Sequence, residues 1–258
     1  MNYSLKSNKK IISFGSTENR DTQFNIIREK RNLFEKNNNP IISVDAKKRE
    51  PIGLFKNNGK IWTKDAIEVF DHDFLSQSSG VAIPYGIYDV LKNSGCIFIG
   101  TSHDTSEFAV NSISKWWRYI GRFQYSDAKE LLILADTGGS NSAQNRAWKY
   151  YIQKKICNVF NLNITVAHYP AGASKWNPIE HRLFSEISKN WKGIPLDTYE
   201  TILNYIKTTR TKTGLTVNSY LDNNNYLTGI RISNNEMNDL NIVSDHIIKK
   251  WNYTIFPN

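Results

Sequence analysis

Residues 130 to 191 constrain the fold more than any other part of the chain. LLILAD (131–136) is an apolar run closed by an aspartate, the pattern of a strand buried on both faces. A Gly138-Gly139 turn follows, and then Trp148, Ile152, Ile156 and Phe160 recur every four residues, as on one face of a helix. ITVAH (164–168) is a second apolar strand, and NPIEHRLFSEISKNW (177–191) is a second helix. Two buried strands joined through a helix run parallel, and the helices must cover the sheet they leave.

The front of the chain reads differently. Residues 21–36 form a helix with Asp21 as N-cap and Phe24, Ile27 and Phe34 on its apolar side, ended by Asn37 to Pro40. Two short strands flank Lys47 to Pro51, with a turn at Asn58-Gly59. VAIPYGIYDV and CIFIGTS are further strands. Asp104 and Glu107 form a capping box for a helix whose Phe108, Ile113, Trp116 and Ile120 stripe stops at Gly121. Beyond residue 193 the reading is a helix at 199–208, a strand at 226–232 and a short helix capped by Ser233 and Glu236. Antiparallel strands in front and parallel ones behind give a mixed α/β sheet.

Composition excludes whole classes of function. Cys96 and Cys157 are the only cysteines and lie outside any CxxC spacing, which excludes a disulfide framework and a cysteine-ligated zinc. No apolar run reaches the roughly 18 residues of a membrane helix, and no signal-peptide pattern opens the chain, so a cytoplasmic location is expected. No GxxxxGK[ST] run is present, so no nucleotide cofactor is expected. The formal net charge of +9 favours a polyanionic partner such as nucleic acid.

Three acids stand out by position. Asp45 lies in the apolar strand ISVDA, where a charge is costly unless it faces an opening or a partner; alternatively it is a strand-end turn residue. Asp136 ends LLILAD, and ligands of open α/β sheets gather at the carboxyl ends of strands; alternatively it closes an Asx turn. Glu180 is the N3 residue of the Asn177-Pro178 helix start, where a capping-box role competes with a functional one. Clustered, the three would offer hard oxygen ligands to Mg²⁺ or Mn²⁺, two ions beside a phosphodiester. A rival reading takes Asp136-Thr137-Gly138 as half of an aspartic-protease dyad, which leaves Asp45 and the Asn-Pro-Ile-Glu helix unexplained.

PAGASKWNPIEHRLFSEI (170–187) resembles the third-acid segment of DDE transposases, and the wider match is to the ISAzo-type insertion-sequence transposases. ISVDAKKREPIGLFKNNG resembles their first-Asp strand, and LLILADTGGSN resembles the second. IPYGIYDVLKNSG, GTSHDTSEFAVNSISKWW, GLTV and KWNYTI match further blocks. The resemblance implies an RNase H-like (retroviral-integrase-like) core with Asp45, Asp136 and Glu180 as catalytic and metal-holding acids. It also implies DNA cleavage at element ends, strand transfer by transesterification, and a homo-oligomer on DNA. Lys47, Lys48, Lys175, Trp176, Asn177, His181 and Arg182 flank the acids and are the expected DNA contacts. The expected organisation is a helical arm over 1–40, the catalytic core over 41–192, and a C-terminal extension over 193–258 packed on it. Family members usually carry an N-terminal helix-turn-helix that reads the element ends, whereas here Met1 begins close to the core. The expectation is that this region is encoded elsewhere, or that the copy is a truncated remnant that binds DNA without cutting it.

Overall fold

The computed structural model describes residues 19–258; the first 18 residues of the expected N-terminal arm lie outside the described residues. The strands are β1 (Ile41–Ala46), β2 (Glu50–Ile52), β3 (Gly80–Asp89), β4 (Ser94–Gly100), β5 (Glu130–Ala135), β6 (Asn163–His168), β7 (Thr216–Asp222), β8 (Ile242–Ser244) and β9 (Asn252–Ile255). They form one mixed sheet in the order β7-β4-β3-β1-β5-β6-β9-β8, with β2 paired to β3 off this path. β1 is antiparallel to β3 and parallel to β5, and β5 is parallel to β6. The strand that carries Asp45, β1, therefore has an antiparallel neighbour on one side and a parallel one on the other.

Strand alternation assigns the two faces. Ile42 and Val44 of β1, with Leu131, Ile133 and Ala135 of β5, pack against helices α2 (residues 106–124) and α3 (residues 146–160) through Phe108, Ile113, Trp148 and Ile152. On the opposite face, α1 (Arg20–Lys36) sets Ile27 and Phe34 against Ile41, Leu132 and Leu134. Beside it, α4 (residues 178–190) and α5 (Tyr199–Lys207) cover Ala82, Ile97, Ile99 and Val217 with Ile179, Leu183, Ile187, Ile202 and Ile206. The C-terminal segment adds β7 to one side of the sheet and β9 and β8 to the other, so it is woven into the same sheet as the acid-bearing strands.

Several local expectations are corrected. The N-cap position of α1 is Asn19, not Asp21, and it makes no side-chain cap bond. Thr105 rather than Asp104 caps α2, its hydroxyl accepting the Phe108 N–H, while Glu107 pairs with Lys155 at 2.7 Å. Gly121 does not stop that helix: the chain passes through a π-helical turn at Trp117–Gly121 and continues to Gln124. The strand expected at 226–232 forms instead at β7. After β7 the chain turns back, with the Tyr226 hydroxyl donating to buried Asp222 at 2.8 Å and its N–H to Ser102 at 3.1 Å. The Ser233–Glu236 capping box is present and opens α6 (Asn234–Asn238).

Candidate active site

By alternation along β1, Ile41, Ser43 and Asp45 share the face covered by α1 and α4. Asp136 follows the last residue of β5, the parallel neighbour of β1. Both therefore lie at the carboxyl ends of adjoining strands, where the sheet leaves an opening. Glu180 begins a π-helical turn, Glu180–Phe184, in the first part of α4; such turns recur at functional sites because they re-aim one side chain out of helical register.

The bed for α4 is written into the strands. Gly86 stands opposite Asp45 across the β1–β3 pair. A Cβ at Gly86 would run into Phe184 and come within 2.8 Å of Ile179, and one at Gly95 would meet Leu183. The two glycines let the Glu180 helix lie directly on the sheet next to the first acid.

The three carboxyls act on one another. Asp45 is nine-tenths buried (9% exposed). Burial first, and then the Asp136, Glu180 and Asp104 carboxylates, push it up to about 8. Asp136 and Glu180 are also raised, by burial and, for Glu180, by the Asp136 charge. Glu180 and Asp45 lie close enough to act on each other's acidity. Asn177, at the N-cap position, turns its side chain to Ser43 and Val44 instead, so the two residues do not form a capping box. Asp136 does close a turn, Oδ1 accepting the Gly138 N–H at 3.1 Å, and Asp45 Oδ1 accepts the Ala46 N–H at 2.8 Å.

As the side chains stand, no three His, Cys, Asp or Glu groups among the described residues converge on one point as ligands of a bound ion would. The donor chemistry nevertheless fits a hard divalent cation. All three groups are carboxylates, each backbone bond occupies one oxygen of its pair, and the burial of like charges leaves a deficit that such a cation removes.

Two features escaped the sequence reading. Asp104 is a fourth acid close enough to raise Asp45, and its buried Oδ1 has no hydrogen-bond partner; its place next to a helix cap concealed it. His168 ends β6 with its ring fully buried, and burial lowers it to about 4, so it is neutral. Nδ1–H donates to the Asp136 carbonyl at 2.8 Å, and Nε2 accepts from the Tyr253 hydroxyl at 3.1 Å. Trp148 Nε1 donates to the same hydroxyl at 3.0 Å. Tyr253, from the KWNYTI block of the tail, thus acts through His168 on the backbone of the second acid.

The flanking residues divide. Lys48, Lys175, Trp176, His181 and Arg182 are exposed. The Lys175 ammonium lies 5.3 Å from the Trp176 ring, and that ring meets Phe24 of α1 edge-on at 5.9 Å. Lys47 is half-buried, paired with Glu50 at 3.1 Å and 4.7 Å above the Trp191 ring. Asn177 is not on this surface; it is fully buried and turned towards β1.

This arrangement has relatives. The family described as the Rhodopirellula transposase DDE domain matches residues 1–257. The chain belongs to that family. DDE domains of this class work with divalent metal ions. Among solved structures, the Mos1 transposase paired-end complex with left transposon end is similar at 10% identity and a TM-score of 0.52. It aligns over 80% of this chain and 58% of its own. A pre-cleavage Mos1 transpososome aligns over 80% of this DDE domain and 59% of its own chain, at 10% identity and a TM-score of 0.51. The shared architecture is the RNase H-like fold of integrases and DDE transposases, and the chain spans a little under three-fifths of the Mos1 chains it matches. No curated protein matches in sequence. Among the described residues, no helix is long and apolar enough to cross a membrane.

Proposed function

We propose that this DDE domain is the catalytic unit of a transposase that cuts DNA at element ends and joins the freed 3′-hydroxyl to target DNA. The observation that carries this reading is the grouping of Asp45, Asp136 and Glu180, from β1, the end of β5 and α4, with all three made weaker acids by burial and Asp45 and Glu180 also by neighbouring carboxylates. Asp45, Asp136 and Glu180 would hold two Mg²⁺ or Mn²⁺ ions. When bound, these supply Lewis-acid activation of the attacking oxygen and charge stabilisation at the leaving one.

The residues themselves supply placement. His168 fixes the backbone of Asp136, and Gly86 lets α4 bring Glu180 onto the sheet. Lys48, Lys175, His181 and Arg182 offer exposed cationic or hydrogen-bonding groups around the acids, suited to phosphates. Trp176, 57% exposed, offers a ring face to an unpaired base. The partners are element-end and target DNA, and the working form is an oligomer on that DNA. The protease reading is not favoured: the carboxyls beside Asp136 are Asp45 and Glu180, on a strand and a helix, and neither stands in a second Asp-Thr-Gly turn.

The test is cleavage of supercoiled DNA that carries the element ends. Strand breaks that require Mg²⁺ or Mn²⁺ and stop on adding EDTA are expected. Peptide cleavage without metal would point to the protease, and intact DNA at every metal concentration would point to a remnant that only binds.

A further inference from the structure

Ser43 and Asn177 are fully buried polar residues at the junction between the strand that carries Asp45 and the helix that carries Glu180. Ser43 is two residues ahead of Asp45 and on the same face of β1. Its hydroxyl donates to Asn177 Oδ1 and accepts the Ile179 N–H at 3.1 Å. Asn177 Nδ2 donates back to the Val44 carbonyl at 3.4 Å. The first N–H groups of a helix have no partner within it and are ordinarily served by the side chain of the N-cap residue. Here the Ile179 N–H, one residue before Glu180, is served by a serine from the strand beneath.

Buried polar groups are tolerated only when paired, and these pairings hold for one placement of α4 on β1. A slide of the helix by one residue, or a rotation about its axis, would break all three bonds together and orphan groups that water cannot reach. Gly86 decides how closely the helix approaches, whereas the Ser43–Asn177 pair decides where along the strand it stops. We propose that this pair is a positioning latch that sets the spacing between the Asp45 and Glu180 carboxyls, Ser43 and Asn177 themselves touching neither metal nor DNA. The inference rests on the reading of Asp45, Asp136 and Glu180 as the metal-holding acids.

The experiment measures Mn²⁺ affinity of the DNA-free protein by calorimetry, together with single-turnover cleavage and DNA affinity, for Ser43→Ala, Asp45→Asn and Ile255→Ala. Groups behind the ligands of a metal centre typically change affinity or rate by about 10- to 100-fold when removed. Ser43→Ala is therefore expected to bind Mn²⁺ at least about 10-fold more weakly and to cut at least about 10-fold more slowly, with its DNA dissociation constant unchanged. Ile255, fully buried on β9 away from the junction, is the stability control. Ile255→Ala should lower the thermal midpoint at least as much, yet keep parental Mn²⁺ affinity and rate below that midpoint. Should Ser43→Ala not fold, Ser43→Cys replaces it, since a thiol is close in shape but a poor acceptor for the Ile179 N–H. Parental Mn²⁺ affinity and rate in the Ser43 variant, with both lost in Asp45→Asn, would overturn the latch alone. Equal losses in Ile255→Ala would overturn it too, by showing the effect to be one of stability. Parental Mn²⁺ binding by Asp45→Asn would overturn the three-acid reading and the latch with it.

Discussion

Asp45→Asn is expected to lower DNA cleavage at least about 10³-fold while raising the thermal midpoint of the metal-free protein. Loss of one preorganised charge from a reaction centre costs roughly 10²–10³ in rate, and here the lost carboxylate is also a ligand shared with its neighbours. The gain in stability has a separate origin. Folding buries Asp45 against Asp136, Glu180 and Asp104, and a neutral amide of the same shape removes that repulsion. A midpoint higher by about 3–8 °C corresponds to roughly 1–3 kcal/mol for a domain of this size. Differential scanning calorimetry beside a single-turnover cleavage assay reads both quantities. A variant that is less stable and fully active would mean that Asp45 is an ordinary strand residue.

The second large effect is the dependence of stability on pH and metal. An acid whose pKa rises on folding adds stability that is present below its unfolded value, near 4, and is lost as pH climbs through its folded value. For Asp45 that folded value is about 8, and Asp136, Glu180 and Asp89 shift in the same direction. Asp222 has the opposite sign. Burial works against its charge, but bonds from Lys115, Tyr226 and Asn224 hold it below the usual range, so its contribution is lost only as pH falls below about 4. His168, lowered to about 4, adds stability as pH rises from about 4 to 6.5 and offsets Asp45 over that range, so the metal-free midpoint should fall mainly from about pH 6.5 to pH 8, by roughly 3–8 °C. Mn²⁺ should reverse the fall, because the ion binds the ionised carboxylates and releases their protons. At about 100 times its dissociation constant a ligand adds roughly 2.7 kcal/mol. A midpoint that rises from about pH 6.5 to pH 8 without metal would contradict the assigned carboxyl environment.

The residues explain why some of this was legible in the sequence and some was not. β5 and β6 are buried on both faces, so LLILAD and ITVAH declare themselves by apolar content alone, and their parallel pairing follows from the helix between them. β7 lies at the edge of the sheet with Thr216, Asn218 and Tyr220 outward, and TVNSYLD therefore carries too little apolar signal. The π-helical turns at Trp117–Gly121, Gln153–Cys157 and Glu180–Phe184 leave no mark in a four-residue periodicity. At the candidate site, Asp45 and Asp136 were visible because a charge closing an apolar strand needs a reason. Glu180 was ambiguous on local grounds, since N3 of a helix favours glutamate for capping; the ambiguity ends only when the fold turns the Asn177 side chain to β1 and brings Glu180 near Asp45 and Asp136. Asn177 looked like a cap or a DNA contact, and its buried bonds to β1 belong to a partner 134 residues away that no local pattern reveals. His168 and Tyr253 likewise meet only when β9 closes on β6.

The most direct measurement is anomalous diffraction at the manganese edge from crystals of the protein soaked in Mn²⁺. The account predicts peaks enclosed by the carboxylates of Asp45, Asp136 and Glu180, two of them about 3.5–4 Å apart once DNA is bound. A saturating soak that leaves those three carboxylates without a peak, or that places manganese only elsewhere on the molecule, would contradict it.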